Sequence, residues 1–213
     1  MARHSSLFTR HCFKAVELQS QDGVAIVRFP EEPLYPRLAT AALRELGDLL
    51  ALLSKEKAFR GLVIASNSFS FAVGAAVSEV LTLDAVRGLA FSRTGQTVCR
   101  RIRRFPTPVV AAIRGFCFGG GLDLALACQS RVASYAASFA HPGGTLGIIA
   151  GWGGTQSLPR KFGKAASLEI LLTAQRIPAT QALSLGLVDQ LVSSHDLVGA
   201  AIARVHARSP SRE

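Results

Sequence analysis

Two short apolar runs limit what this 213-residue chain can fold into. Residues 61–65 (Gly-Leu-Val-Ile-Ala) and 109–113 (Val-Val-Ala-Ala-Ile) are too short and too rich in β-branched residues for helices,. Each is bounded by turn formers, Ser66-Asn67-Ser68 after the first and Phe105-Pro106-Thr107-Pro108 before the second, so each predicts a buried strand. Around them lie helical patterns. Leu38, Ala42, Leu46, Leu49, Leu50 and Leu53 recur at amphipathic spacing over 37–53, and a second helix is predicted around 84–104, halted by Pro106,. Residues 15–19 and 24–29 alternate about Gln21-Asp22-Gly23 as a hairpin would,. Beyond 113 the pattern continues as a glycine-rich turn over 115–121, an apolar helix over 122–128, and short strands over 131–134 and 138–140. A glycine-rich loop over 143–154 precedes helices at 165–173, 179–185 and 194–208, with a strand at 188–192. Strands alternating with helices without a linker predict one α/β domain.

Composition excludes several classes. Hydrophobic residues make up 49% and charged residues 18%, which is incompatible with a disordered or fibrous chain. Cys12, Cys99, Cys117 and Cys128 form no CxxC pair, so neither a disulfide framework nor a zinc site is expected and the thiols fit a reducing, cytoplasmic setting. No metal site is expected. The formal charge of +10 favours anionic partners,. Yet the basic residues cluster only at 100–104, at the end of a predicted helix, where cations meet the negative dipole end,. With aromatics at 7% there is no basic stripe interleaved with stacking rings, which argues against nucleic acid,. Residues 132–159 contain no Asp, Glu, Lys or Arg, but glycines together with Pro142 and Pro159 interrupt them, so no spanning helix is predicted,. The first sixteen residues carry Arg3, Arg10 and Lys14 without an acid, and lack the apolar core of a secretory signal,.

Two strand-to-loop junctions carry the chemistry. After 62–65 comes Phe69-Ser-Phe-Ala-Val-Gly-Ala-Ala76, and after 109–113 comes Arg114-Gly-Phe-Cys-Phe-Gly-Gly-Gly-Leu-Asp123, entering a helix. Glycines let a backbone approach a ligand closely, and a helix start offers unpaired N–H groups at the positive dipole end. Two such N–H groups aimed at one point make an oxyanion hole. Tight turns alone would also use these glycines.

The chain resembles the enoyl-CoA hydratase/isomerase (crotonase) family. The resemblance rests on residues 71–75 (Phe-Ala-Val-Gly-Ala), 108–115 (Pro-Val-Val-Ala-Ala-Ile-Arg-Gly) and 119–125 (Gly-Gly-Gly-Leu-Asp-Leu-Ala). It continues through 151–156 (Gly-Trp-Gly-Gly-Thr-Gln), Leu172-Thr173 and 182–189. It implies a crotonase-like spiral of ββα units and an acyl-coenzyme A thioester as substrate. No cofactor is implied beyond the coenzyme A of that substrate. It further implies assembly as a homotrimer or hexamer without a membrane partner. The matched motifs place the oxyanion N–H groups at Ala75 and Gly120, and a substrate-binding surface at Phe71, Ala72, Gly74, Gly119, Gly143 and Trp152.

Departures from the family pattern bear on the reaction. The first of two family glutamates falls at Asp123, one methylene shorter, and the second falls at Gly143, so that carboxylate is missing. On a strand His141 shares a face with position 143 and could bring its ring to the same pocket. Ala76 stands where the family often has Asp, and Glu31-Glu32-Pro33-Leu34-Tyr35-Pro36 replaces an asparagine-containing segment. A core over 1–193 and the start of a shortened C-terminal helical region over 194–213 are expected. The expected function is an acyl-CoA enzyme that stabilises a thioester enolate, with Asp123 and His141 as acid/base groups and two-glutamate hydration disfavoured. The alternative is a non-catalytic relative that keeps the fold for binding or assembly.

Overall fold

Asp22 and Gly23 start the sheet: both take positive φ, 51° and 72°, the conformation a two-residue type I′ hairpin turn needs. The turn sets strand β1 at Glu17–Gln21 against β2 at Val24–Phe29, two residues later than the alternation over 15–19 implied. The computed structural model describes residues 14–31 and 35–209. The basic N-terminal segment up to residue 13, residues 32–34 of the Glu-Pro segment, and residues 210–213 lie outside the described residues.

From β2 the sheet grows by parallel pairing. β3 (Gly61–Ser66) and β4 (Val109–Ile113) follow, then β6 (Ser130–Ser134) and β9 (Gln190–Val192), giving the order β1-β2-β3-β4-β6-β9. Every residue of β3, β4 and β6 is buried, because helices cover both faces and unbroken apolar runs are what such strands require. On one face lie α1 (Thr40–Leu53), α3 (Ala85–Arg103) and α4 (Gly120–Ala127), the last two preceded by the short helix α2 (Val77–Val80). On the other face α8 (Leu197–Arg208) lays Leu197, Ala201, Ile202 and Val205 on Val24, Ile26, Val63, Val110 and Val132. The last helix, assigned from sequence to a region beyond residue 193, therefore packs directly on the sheet.

Strand pairs followed by a helix recur. After β4 the chain lays β5 (Phe116–Phe118) in a second, three-stranded sheet before entering α4. After β6 it lays β7 (Ser138–Ala140) beside β5, with β8 (Ile177–Pro178) on the far side of β7. A 3-10 turn at Pro142–Leu146 leads to α5 (Gly154–Phe162) and α6 (Lys164–Thr173), and α7 (Ala179–Ser184) precedes β9. The α/β expectation holds. Two details differ. The glycine-rich turn over 115–121 contains β5 and the first residues of α4, because Cys117 alternates inward between Phe116 and Phe118. Helix α5 falls where glycines and Pro159 gave no helical reading; buried Leu158 anchors it.

Candidate active site

The loop leaving β3 is sewn to β5. Phe71 N–H donates to the Arg114 carbonyl at 2.9 Å, Ala72 N–H to Phe116 at 3.2 Å, and Phe118 N–H to Ala72 at 2.9 Å. The side chains of Phe71 and Ala72 are fully buried, Phe71 edge-on to Phe29, so both serve as loop anchors and bring no side-chain surface to a ligand. Further on, Leu38 N–H donates to Gly74 at 2.8 Å, and the Glu79 carboxylate accepts from the Thr40 N–H at 2.9 Å. These bonds hold half-buried Ala75 across the start of α4. A Cβ at Gly74 would stand 3.2 Å from the Gly120 nitrogen and 3.1 Å from the Phe118 carbonyl oxygen. Among the described residues, no backbone carbonyl accepts from the Ala75 or the Gly120 N–H.

The three successive glycines answer to three different neighbours. Gly119 caps α4 with φ 51°, a conformation that disfavours any side chain, and its N–H bonds the Ala140 carbonyl at 3.0 Å,. A Cβ on Gly120 would lie 2.1 Å from Cζ3 of Trp152, and one on Gly121 would lie 2.3 Å from the Ala72 carbonyl oxygen. The loop and the helix start thus meet backbone to backbone, with an indole on the remaining side.

One turn into α4 sits Asp123, 2% exposed, and at the end of β7 sits His141, 4% exposed. The two meet at 3.3 Å, Nε2 to Oδ1, with donor and acceptor set by the imidazole tautomer,. Nδ1 of His141 lies 3.7 Å from where a Cβ of residue 143 would be, so the ring flanks that position, though not by the shared strand face the sequence suggested: β7 ends at Ala140 and Gly143 lies in the 3-10 turn. The position itself is closed. A Cβ at Gly143 would stand 2.7 Å from the Ile148 carbonyl oxygen. Sequence reasoning missed Gly154, the first residue of α5, whose Cβ would fall 2.4 Å from Asp123 Oδ1 and 3.2 Å from His141 Nε2. It also missed Gly95 and Phe91 on α3, which seat Trp152: Cγ, Cδ1 and Nε1 of the indole would each be 2.4 Å from a Cβ at Gly95, and the Phe91 ring centroid is 5.4 Å away. A glycine in the middle of a long helix, costly beside alanine, was the available signal.

Buried thiols lie beside α4 without competing for protons. Cys99 Sγ lies 3.8 Å from the Asp123 carbonyl oxygen. Burial pushes the Cys99 and Cys117 thiols up, the Asp123 charge adding to both, and burial pushes Cys128 up to about 12. All three are neutral at physiological pH. Among the described residues there is no group of three or more His, Cys, Asp or Glu placed to hold a metal ion, and no helix long and apolar enough to cross a membrane. A buried carboxylate and imidazole beside two unpaired N–H groups and a helix N-terminus suit proton transfer next to a carbonyl whose oxygen gains charge.

Comparison with known proteins gives the family. The family model described as enoyl-CoA hydratase/isomerase matches residues 19–209. A short-chain-enoyl-CoA hydratase of Clostridium acetobutylicum is 33% identical over 187 residues, 87% of this chain and 72% of that protein. Among solved structures, an enoyl-CoA hydratase from Bacillus anthracis superposes with a TM-score of 0.86 at 31% identity, covering 91% of this chain and 76% of that one. Pseudomonas aeruginosa DspI superposes with a TM-score of 0.88 at 28% identity, covering 95% and 79%. With the family model spanning all but the ends of the chain, and the fold shared with these proteins, the chain belongs to the enoyl-CoA hydratase/isomerase family.

Proposed function

We propose that the protein is an acyl-CoA enzyme that moves a proton on the acyl chain through a thioester enolate, and that it isomerises enoyl thioesters in preference to hydrating them. The observation that carries this reading is the buried Asp123–His141 contact at 3.3 Å, one helical turn from the free Gly120 N–H. In a 3-enoyl thioester the Asp123 carboxylate takes a proton from C2. The electrons pass into the thioester carbonyl, giving a dienolate whose oxygen accepts from the Ala75 and Gly120 N–H groups. Protonated Asp123 then returns the proton to C4, and the double bond ends between C2 and C3. One acid/base group suffices for both halves, and His141 holds the carboxylate between them. Losing one oxyanion donor typically costs ~10²–10³ in rate.

Hydration asks for more. A water must be activated and a proton delivered, two tasks that the family divides between two carboxylates. The second carboxylate is absent, and the Ile148 carbonyl stands 2.7 Å from where its Cβ would begin. That closure also supports the second reading, a non-catalytic relative that retains the fold for binding or assembly. Purified protein mixed with crotonyl-CoA and with a 3-enoyl-CoA, followed by absorbance of the conjugated enoyl thioester, separates the readings. Gain of absorbance from the 3-enoyl substrate without loss from crotonyl-CoA is the expected result. Efficient hydration of crotonyl-CoA would refute the isomerase preference, and silence on both substrates would favour the non-catalytic relative.

A further inference from the structure

Buried side-chain nitrogens and oxygens almost always find a hydrogen-bond partner, so an exception asks for a reason. Among the described residues three such atoms have none: Arg28 Nε, Arg114 Nε and Ser134 Oγ. They come from β2, from the residue after β4 and from the last position of β6, and the sheet gathers them at one corner. Side chains two apart on a strand share a face. Val24 and Ile26, Val110 and Ala112, and Val132 pack against α8, so Arg28, Arg114 and Ser134 continue those columns on the same face. Between the arginines the β3 column, Val63 and Ala65, runs on to Asn67. The pairing of Ala112 with Val132 and of Ile113 with Ala133 sets Arg114 next to Ser134. This is the carboxyl end of the parallel strands, where open α/β sheets hold ligands.

Charge at this corner is out of balance. Both arginines are half-buried. Burial first, and then the Arg114 charge, press the Arg28 guanidinium below its ordinary pKa, while Glu17 pulls it back. Glu17 faces Arg28 across the β1–β2 ladder, but its carboxylate accepts from Asn67 Nδ2 at 2.8 Å. Neither arginine forms an ion pair with a described residue. Each has one long bond to a neutral oxygen instead, Arg28 Nη1 to Asn67 Oδ1 at 3.3 Å and Arg114 Nη2 to the Ser194 carbonyl at 3.4 Å. Asp196, ahead of α8, spends its carboxylate on Ser193 and His195. Two half-buried cations without a counter-ion are costly, and arginine does not shed its charge to escape that cost.

We propose that Arg28 and Arg114 form a binding site for a small oxyanion of the phosphate class, bridged between the two guanidinium groups on the α8 face of the sheet, opposite the face covered by α4. The planar fork of an arginine presents paired N–H donors that match phosphate oxygens, and the Ser134 hydroxyl can turn its proton toward the anion. The bound anion neutralises both cations and ties β2 to the segment ahead of α8. The inference does not rest on the acyl-CoA reading.

The probe is inorganic phosphate, titrated into the protein against chloride at matched ionic strength so that general screening cancels, and read by calorimetry and thermal unfolding. Phosphate is expected to bind at one site and to raise the thermal midpoint by roughly 5 °C or more at about a hundred-fold excess over Kd. Arg28→Gln and Arg114→Gln are each expected to weaken binding by roughly 10-fold or more. If a glutamine variant does not fold, Arg114→Lys decides: it keeps the charge, loses the fork, and is expected to weaken phosphate binding with the response to chloride unchanged. A midpoint that rises equally in phosphate and chloride, or phosphate binding that survives in the folded arginine variants, overturns the site. Phosphate binding that saturating coenzyme A abolishes in the wild type also overturns it, because the anion then sits in the acyl-CoA site.

Discussion

Gly154→Ala places one methyl group against the proton-transfer pair and, at 3.2 Å, against the Ala150 methyl. The new Cβ would lie 2.4 Å from Asp123 Oδ1 and 3.2 Å from His141 Nε2, where ordinary contact begins at 3.4 Å. The carboxylate must therefore retreat by about 1 Å, a displacement that typically costs about 10²-fold when it falls on a reacting group. The pair is boxed in, with Asp123 and His141 both nearly fully buried, so part of the misfit appears as lost stability of about 1–3 kcal/mol, the usual cost of overpacking. Steady-state kinetics on a 3-enoyl-CoA, together with urea denaturation, measures both. The expected result is kcat lower by about 10²-fold in a protein that still unfolds cooperatively. A variant that loses stability but keeps kcat within about three-fold of wild type would refute the reasoning, because a 1 Å shift of the reacting carboxylate cannot be silent.

Asp123→Asn keeps the shape of the side chain and removes its basicity; turnover of the 3-enoyl substrate should fall by ~10²–10⁴, the span usual for a lost acid/base group. Native-state alkylation with peptide mapping should leave Cys99, Cys117 and Cys128 unmodified, because burial holds all three as neutral thiols, and each should react once urea unfolds the chain. Labelling of any of them in the folded protein would contradict the packing around Asp123. Asp84 accepts the Arg87 N–H at the start of α3, which lowers its carboxyl below the usual range. Its contribution is therefore present above the ordinary carboxylate pKa and fades as pH falls through the folded value. Asp84→Ala should lower the thermal midpoint near neutral pH, and the difference from wild type should shrink in strong acid.

The parts of the fold that were legible in the sequence are those whose residues answer to their own period. Residues 61–65 and 109–113 read as buried strands because both faces of β3 and β4 are covered, leaving no polar position to break the run. The amphipathic stripe over 37–53 became α1, beginning at Thr40. What was not legible answers to a partner far along the chain. Gly154 is glycine because of Asp123 and His141, and Gly95 because of Trp152; locally each reads only as a helix breaker. Helix α5 was hidden for the same reason, since Gly153, Gly154 and Pro159 outweigh its short amphipathic pattern. His141 does lie beside position 143, but not through a shared strand face: β7 ends at Ala140 and Gly143 sits in the 3-10 turn over Pro142–Leu146, so it is the turn that brings the two together. The contact of His141 with Asp123, 18 positions away, needed β7 and α4 to be brought together.

The departures at 123 and 143 and the packing of Trp152 have a common physical sense when taken as volumes rather than as separate substitutions. A glutamate at 143 would need the space now bordered by the Ile148 carbonyl, and the indole of Trp152 occupies the space beside Gly120. On the proposed reading the site has lost its second carboxylate and given up room as well. Hydration requires the substrate, an ordered water and a second proton carrier to be held together, so it suffers from both losses. Migration of a double bond needs only the substrate and one carboxylate that can reach two carbons of a short chain. An aspartate is shorter than a glutamate by one C–C bond, about 1.5 Å, and that shortening is tolerable only if the acyl chain is pressed toward it. On the proposed reading Trp152, fixed between Gly95 and Gly120, narrows the room beside the Gly120 N–H and so limits how far the acyl chain can stand from that carboxylate. Trp152→Ala, which empties the space beside Gly120, should therefore weaken turnover of a 3-enoyl thioester, and an unchanged kcat/KM in a folded variant would refute this role.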